Sequence, residues 1–437
     1  MSTENESPPA ATWSFPMYLR VLCGVIVGIM LGCICRLEMW SEVRRDWFIG
    51  SAATAGQLAS LIVNLLKALA TPLIFFGIVD AFIKTNISGR QGLKMIAICL
   101  FNVAVAFAIG LTIINWWQPG EAWRGEFSAL TAGATKLEGT EKLDVVTLLK
   151  KHIPESFLAP FVKNEITGVV ILAVLAGIAL RGVRKDVTQE SLAEVTLLEQ
   201  AMSGGFVWMM KILEYVILLV PFAVCGILAA AIAKEGLKEV FESLAVFLSV
   251  VLAGLGIHAF VYYPLVNWLL GGKSPLLFFR EGGEAILTGL SLNSSLATVP
   301  ATLQALDRMH VSPSSARLSA CVGTNFNNDG ITLYEAMTAL FVAQAAGYNL
   351  SLGEQITVML ASLLASAGIA GIPNSGMIIL PAVLAAAGLP PDVIAKAYGM
   401  ALGVDWIAAR CRSAVNVMGD MTVAIMLDAG ETREVKE

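Results

Sequence analysis

Charged side chains are scarce in this chain. They make up 14% of its 437 residues, where a soluble domain carries about 25%. A chain so poor in charge cannot clothe the surface of a soluble globule. Its 56% of hydrophobic residues point instead to a polytopic membrane protein. A basic surplus is also missing. The formal net charge is −5, which offers no electrostatic footprint for nucleic acid. Histidine is rarer still: His152, His258 and His310 stand far apart. A histidine-based metal centre is therefore not expected, and His258, inside an apolar run, is expected to be a hydrogen-bonded interior residue. The seven cysteines (Cys23, Cys33, Cys35, Cys99, Cys225, Cys321 and Cys411) lie mostly within apolar runs. They predict small membrane-core residues rather than a disulfide framework. Met1 to Pro16 is a polar tail without the basic n-region of a cleavable signal peptide, so the first apolar run is expected to be a retained span. No serine or cysteine stands beside a base in the pattern of an activated nucleophile, so catalysis is not expected.

What the chain does have is a series of apolar runs. Val21–Cys35, Leu93–Trp117, Ile166–Leu180, Phe206–Ala233 and Phe241–Leu270 read as membrane spans. Gly50–Ile83 is too long for one untilted span and contains Pro72, which allows a bend. Gln118–Glu155 is the longest polar stretch and reads as an extramembrane loop, residues 118–156 in all. Arg181–Gln200 reads as charged and aqueous, and Pro221 interrupts the run around it. The positive-inside rule gives no clean answer, because Arg44-Arg45 and Arg181, Arg184 and Lys185 do not separate into alternate loops.

The last third differs. Pro275–Met309 is broken at Ser291–Pro300, Ser314–Ala346 at Asn325–Gly330, and Leu352–Pro390 at Ala365–Gly376. Breaks at membrane depth are tolerated only where backbone is buried in protein or lines a cavity. Two interrupted segments, each followed by a helix with polar groups, form the pattern of an inverted-repeat secondary transporter with its site at the midplane. That following helix carries a polar stripe near the chain's end. Asp405, Arg412, Asn416 and Asp420 are seven, four and four residues apart, and at about 100° per residue they share one side of a helix. Ionisable residues at membrane depth mark functional sites by default.

Five stretches carry a family resemblance. Lys67-Ala-Leu-Ala-Thr-Pro-Leu-Ile74, Ser294-Ser-Leu-Ala-Thr-Val-Pro300, Asn327-Asn-Asp-Gly-Ile-Thr-Leu-Tyr-Glu335, Ala370-Gly-Ile-Pro-Asn-Ser-Gly376 and Arg412-Ser-Ala-Val-Asn-Val-Met-Gly-Asp420 occur in order. They resemble the motifs of the dicarboxylate/amino acid:cation symporter family, which includes the glutamate transporters. The resemblance implies an all-α membrane protein of eight spans and two re-entrant hairpins, built from inverted repeats. It implies a homotrimer in the inner (plasma) membrane with cytoplasmic termini. Residues 17–90 and 157–235 become a scaffold. Residues 91–117 and 236–428 become a mobile domain that carries substrate by an elevator motion. That domain includes hairpin one, about 275–310, and hairpin two, about 351–391, the latter as extracellular gate. Residues 429–437 form a tail.

The same resemblance assigns roles. Arg412 meets a substrate carboxylate, which suits its planar fork of donors. Ser413, Asn416, Ser294, Ser295 and the tip from Gly371 to Gly376 complete the pocket, although Ser294 and Ser295 also read as helix caps. Asp420 with the carbonyls of Gly323, Asn327 and Asn416 matches a first sodium site. Hairpin-two backbone oxygens around Ser366, Ala367 and Ile369 match a second, and Asn325 is a further candidate sodium ligand. Asn327 and Asp329 belong to a third. No other cofactor is implied.

Departures from the family pattern shape the expectation. Amino acid carriers of the family hold the substrate ammonium with an aspartate where this chain has Ala409. A buried ammonium facing a methyl group would be an unpaired ion, costing several kcal/mol. Arg412 with Ala409 therefore favours small dicarboxylates over aspartate or glutamate, the alternative. The third-site ligands of the third span are a tyrosine and two hydroxyl residues in relatives, and here Ile98, Asn102 and Val103 align with them. Asn328 and Ile331 replace a methionine and a substrate-contacting threonine. Sodium coupling at reduced stoichiometry is expected, with proton coupling through Asp329 as the alternative. A substrate-gated anion pathway is a different class that the same family implies.

Overall fold

The computed structural model describes residues 17–37, 42–84, 90–124, 154, 156–163, 166–186, 191–367 and 375–434. Among the described residues all regular structure is helical. Helix α1 (Met17–Cys35) lies against α6 (Val220–Glu235) along a stripe of Gly24, Gly28 and Gly32. A Cβ on Gly28 would stand 2.7 Å from the Cys225 carbonyl oxygen. Small residues one turn apart let two backbones meet this closely, as in membrane helix pairs. Helix α2 (Glu42–Lys84) runs 43 residues, with Pro72 inside it. It packs on α4 (Ile166–Asp186), α5 (Leu192–Ile217) and α6. At ~1.5 Å per residue it is longer than a ~30 Å hydrocarbon core, as the Gly50–Ile83 run predicts.

The Phe206–Ala233 run is interrupted near Pro221, as expected, and the two helices that share it are together apolar enough for one bent span. Helix α5 begins at Leu192 and stops at Ile217, and α6 leaves it at 43°. Pro221 sits in the first turn of α6, where its missing N–H has no helical partner to lose. The Gln118–Glu155 stretch, expected as an extramembrane loop, begins with structure of its own. Pro119–Trp123 forms a 3₁₀ turn, and Trp123 is buried with its ring 4.9 Å from Phe341 and 5.6 Å from Phe247. The polar average over the whole stretch hides this one aromatic anchor. The charged segment after Leu180 is helical at both ends, joined by an Arg184–Glu199 ion pair of 2.6 Å.

Helix α3 (Arg90–Trp117) is long and apolar enough to cross a membrane. So is the Val240–Leu269 run, made of α7 (Leu237–Ile257), a π-helical turn His258–Tyr262 and α8 (Tyr263–Leu269). Hairpin one is α9 (Pro275–Leu292) and α10 (Ser295–Arg308), turning at Asn293 in a left-handed conformation. Helix α11 (Asp329–Ala345) follows an unwound stretch and is buried on every side. Around it pack α3, α7, α12 (Leu352–Ala367), α13 (Ser375–Ala386) and α14 (Pro391–Glu434). A helix apolar all round belongs inside a protein. This one nevertheless carries Asp329 and Glu335 into that interior. The tip of hairpin two, including Ile369 and Gly371, lies outside the described residues.

Candidate functional site

The site forms where α14 passes the unwound entry to α11. The helical ladder stops at Asn325 and resumes at Asp329. The main chain freed there turns to α14, and Gly330 N donates to Asn416 Oδ1 at 2.9 Å. A Cβ on Gly330 would stand 2.6 Å from the Arg412 carbonyl oxygen, so only glycine allows this approach. Asn416 Nδ2 donates in turn to Asn328 Oδ1 at 3.4 Å. All four members of the polar stripe, Asp405, Arg412, Asn416 and Asp420, are buried.

Arg412 pairs with Asp405 at 2.9 Å, two turns earlier on the same helix. Its guanidinium lies 4.0 Å from the centre of the Tyr334 ring, a cation–π contact. The backbone at Gly376 closes the other side. A Cβ there would stand 2.6 Å from Arg412 Cζ and 2.9 Å from Nη2. Arg412 Nη1 is buried without a hydrogen-bond partner, an expensive state for a charged donor. Glu335, within electrostatic reach of Arg412 and Asp405, has neither oxygen hydrogen-bonded. Asp405, one turn before Ala409, contacts Arg412 through Oδ1. Ala409 is buried on the same helix.

Hairpin one reaches this centre by its tip. Ser413 Oγ donates to Asn293 Oδ1 at 3.1 Å. Ser294 caps α10, its Oγ accepting from Ala297 N at 3.1 Å, as the capping reading expects. Ser295 is buried, with Thr324 Oγ1 3.4 Å from its hydroxyl. Ile331 is buried at the first turn of α11. Hairpin two arrives through Ser366. Its carbonyl accepts from Asn328 Nδ2 at 3.2 Å and its hydroxyl lies 2.7 Å from Thr332 Oγ1. Ala367 ends α12.

Two acids flank the unwound stretch. Asp420 has Thr324 and Asn327 as polar neighbours, while its Oδ1 is buried without a partner. A carboxylate oxygen left open beside unwound backbone suits a hard cation, so the residues here fit sodium. The Gly323 carbonyl, an expected ligand, already accepts amide protons from Phe326 at 2.7 Å and Asn327 at 2.8 Å. Gly323–Asn325 form a single 3₁₀ turn.

Asp329 is the opposite case. Tyr263 donates to its Oδ2 at 2.8 Å, and His258 Nε2 lies 3.3 Å from the same oxygen. Tyr262 donates to Asn102 Oδ1 at 2.6 Å, and Asn102 Nδ2 lies 3.4 Å from Asn327 Oδ1. His258 is thus an interior, hydrogen-bonded residue, as its place in an apolar run predicts. Cys99 is buried within electrostatic reach of Asp329 and Asp420, and Ile98, half-buried, packs against the same apolar cluster as Cys99. Val103 is buried.

Sequence reading alone does not find Tyr262, Tyr263, Glu335 or the Asp405 pairing. A Tyr-Tyr pair in an apolar run five residues after a histidine is a signal only if the intervening turn is π-helical. A glutamate inside the all-apolar stretch after Asp329 was visible from composition and marks an intramembrane acid.

The match with known proteins runs the length of the chain. An excitatory amino acid transporter of Caenorhabditis elegans is 30% identical over 460 residues, covering 94% of this chain and 87% of that protein. A C4-dicarboxylate transport protein of Stenotrophomonas maltophilia (strain R551-3) is 28% identical over 431 residues, covering 97% and 91%. Excitatory amino acid transporter 3 of Bos taurus is 26% identical over 455 residues, covering 92% and 83%. The family model of the sodium:dicarboxylate symporters matches residues 17–429, which takes in both hairpins, the unwound stretch and the polar stripe. The chain belongs to the sodium:dicarboxylate symporter family.

Proposed function

We propose that this protein is a cation-coupled secondary carrier that imports small dicarboxylates across the inner (plasma) membrane. One observation carries the substrate reading. Arg412 keeps a buried donor, Nη1, without a partner, and the position that would hold an ammonium group is Ala409. A second carboxylate on the substrate satisfies that donor, and a methylene satisfies the alanine. An amino group would meet a methyl group, and Asp405 contacts Arg412.

The coupling ion follows from the acids. Sodium at Asp420, with oxygens of Asn327 and Asn416, is the first arm of the reading. Carbonyl oxygens of hairpin two near Ser366 and Ala367 form the second, and Asn325 is a further candidate ligand. Proton coupling has a support of its own in Glu335, whose oxygens lack hydrogen bonds. A neutral acid tolerates that burial, whereas a carboxylate there needs a partner.

Transport proceeds by an elevator motion within a homotrimer of eight-span protomers with cytoplasmic termini. The contacts among α1, α2, α4, α5 and α6 support a scaffold, and those among α3 and α7 to α14 support a moving unit. Hairpin two is the extracellular gate. The resemblance to excitatory amino acid transporters favours acidic amino acids as a second reading.

Competition decides between them. Labelled succinate uptake into proteoliposomes is displaced by succinate, fumarate or malate at lower concentration than by aspartate or glutamate. Stronger displacement by aspartate than by every dicarboxylate overturns the first reading in favour of the second.

A further inference from the structure

We infer that Asp329 holds no coupling cation in this chain: the Tyr263 hydroxyl, with His258 beside it, stands in the coordination space that the family pattern gives to a third sodium ion. The inference deepens the symporter reading above and rests on it.

The residues around Asp329 do not fit a hard cation. Oδ2 already accepts the one proton a phenol can donate, from Tyr263 at 2.8 Å. The same oxygen faces His258 Nε2 at 3.3 Å. Only Oδ1 is without a protein partner. The oxygens that could join it are turned to donors: Asn102 Oδ1 receives Tyr262, and Asn327 Oδ1 faces Asn102 Nδ2. Cys99 and Val103, on the facing side of α3, bring no oxygen at all. A cation needs several oxygens at once, and this corner leaves one.

The chain builds this corner deliberately from its backbone. The turn His258–Tyr262 is π-helical, and Tyr263 N–H donates to the His258 carbonyl. An i→i+5 turn brings residues five apart to the same side. His258 and Tyr263 then meet with ring centres 4.5 Å apart, and His258 stacks on Tyr262 at 4.8 Å. In an unbroken α-helix the two would point about 140° apart at roughly 100° per residue. The turn, the two tyrosines and the histidine act together as an internal set of donors.

The test uses sodium alone as ligand. Purified full-length protein is melted at increasing sodium chloride, with choline chloride holding ionic strength constant and no substrate present. The dependence of melting on sodium reports the ions bound by the folded state. Asp420→Asn is expected to raise the half-saturating sodium at least about tenfold, the scale of a disturbed metal site. Asp329→Asn, which keeps an acceptor for Tyr263, is expected to shift it less than about twofold on that scale. Tyr263→Phe keeps the ring that packs on His258 and removes the proton. It frees Oδ2 and so leaves the corner two oxygens, short of the several a cation needs, and its sodium slope is expected to equal that of wild type. An Asp329→Asn effect equal to that of Asp420→Asn overturns the inference, as does a sodium slope that Asp329→Asn lowers by one ion. A wild type indifferent to sodium upholds the inference and overturns the sodium arm of the proposed function.

Discussion

Two polar centres lie within one turn of each other around the start of α11, and they are finished differently. The corner at Asp329 draws its polar partners from one other span, Tyr263 and His258 on its carboxylate and Tyr262 on Asn102. Asp329 Oδ1 stays open there, but its Oδ2 is already taken, whereas the stripe on α14 keeps a charged donor open, Arg412 Nη1, as well as Asp420 Oδ1. A buried polar atom without a partner costs free energy. Such atoms on a side that substrate and cation must reach are places a ligand can satisfy. The contrast teaches which acids and bases of a membrane interior serve the fold and which await a guest. Changes on the open side should appear in binding, and changes in the closed corner in stability.

The largest effect belongs to Arg412. Arg412→Cys is expected to abolish dicarboxylate uptake while the size-exclusion profile stays that of wild type. Removing one member of a buried ion pair costs about 3–5 kcal/mol, here at Asp405 as well as at the substrate. Normal uptake by a folded variant would erase the distinction between the two centres, because the open donor would then have no guest. Ala409→Asp comes next. It is expected to shift preference by tenfold or more, about 1.4 kcal/mol, toward aspartate and glutamate, read as the ratio of competition constants against succinate. An unchanged ratio would mean that Ala409 does not face the substrate.

Gly376→Ala sharpens the comparison from the other side of Arg412. The added methyl group displaces the guanidinium it would overlap, with an expected loss of about 1–3 kcal/mol in succinate affinity, the range for overpacking. Titration calorimetry measures it. The smallest change in binding is expected for Tyr262→Phe in the closed corner. It leaves Asn102 Oδ1 without its donor and lowers stability by about 1–3 kcal/mol, seen in the melting temperature. Its succinate competition curve should overlay that of wild type. A shifted curve with unchanged melting would reverse the roles assigned to the two centres.

Much of the fold is legible in the chain because its signals are local. Low charge and long apolar runs call for lipid, and small or polar residues inside such runs mark broken helices. The spacing of Asp405, Arg412, Asn416 and Asp420 puts them on one helix side whatever surrounds that helix. The 43-residue length of α2 and the turn at Asn293 follow the same kind of signal. The split near Pro221 follows it too, because a proline inside an apolar run interrupts the helix. The burial of Trp123 does not, since it depends on a single aromatic in a polar stretch.

Composition and period determined that this protein lives in a membrane, that its last third is interrupted three times, and that one helix carries charge through the interior. The tertiary structure alone decided what each charge meets. Arg412 lies between Tyr334 and Gly376, which come from different helices. Tyr263 reaches Asp329 across 66 residues of chain, and it does so only because a π-helical turn rotates it into line with His258. A polar side chain's spacing along a helix is set by covalent geometry, which sequence carries in full. Its partner is set by how helices pack and by one added residue in a turn, and those are properties of the assembled fold.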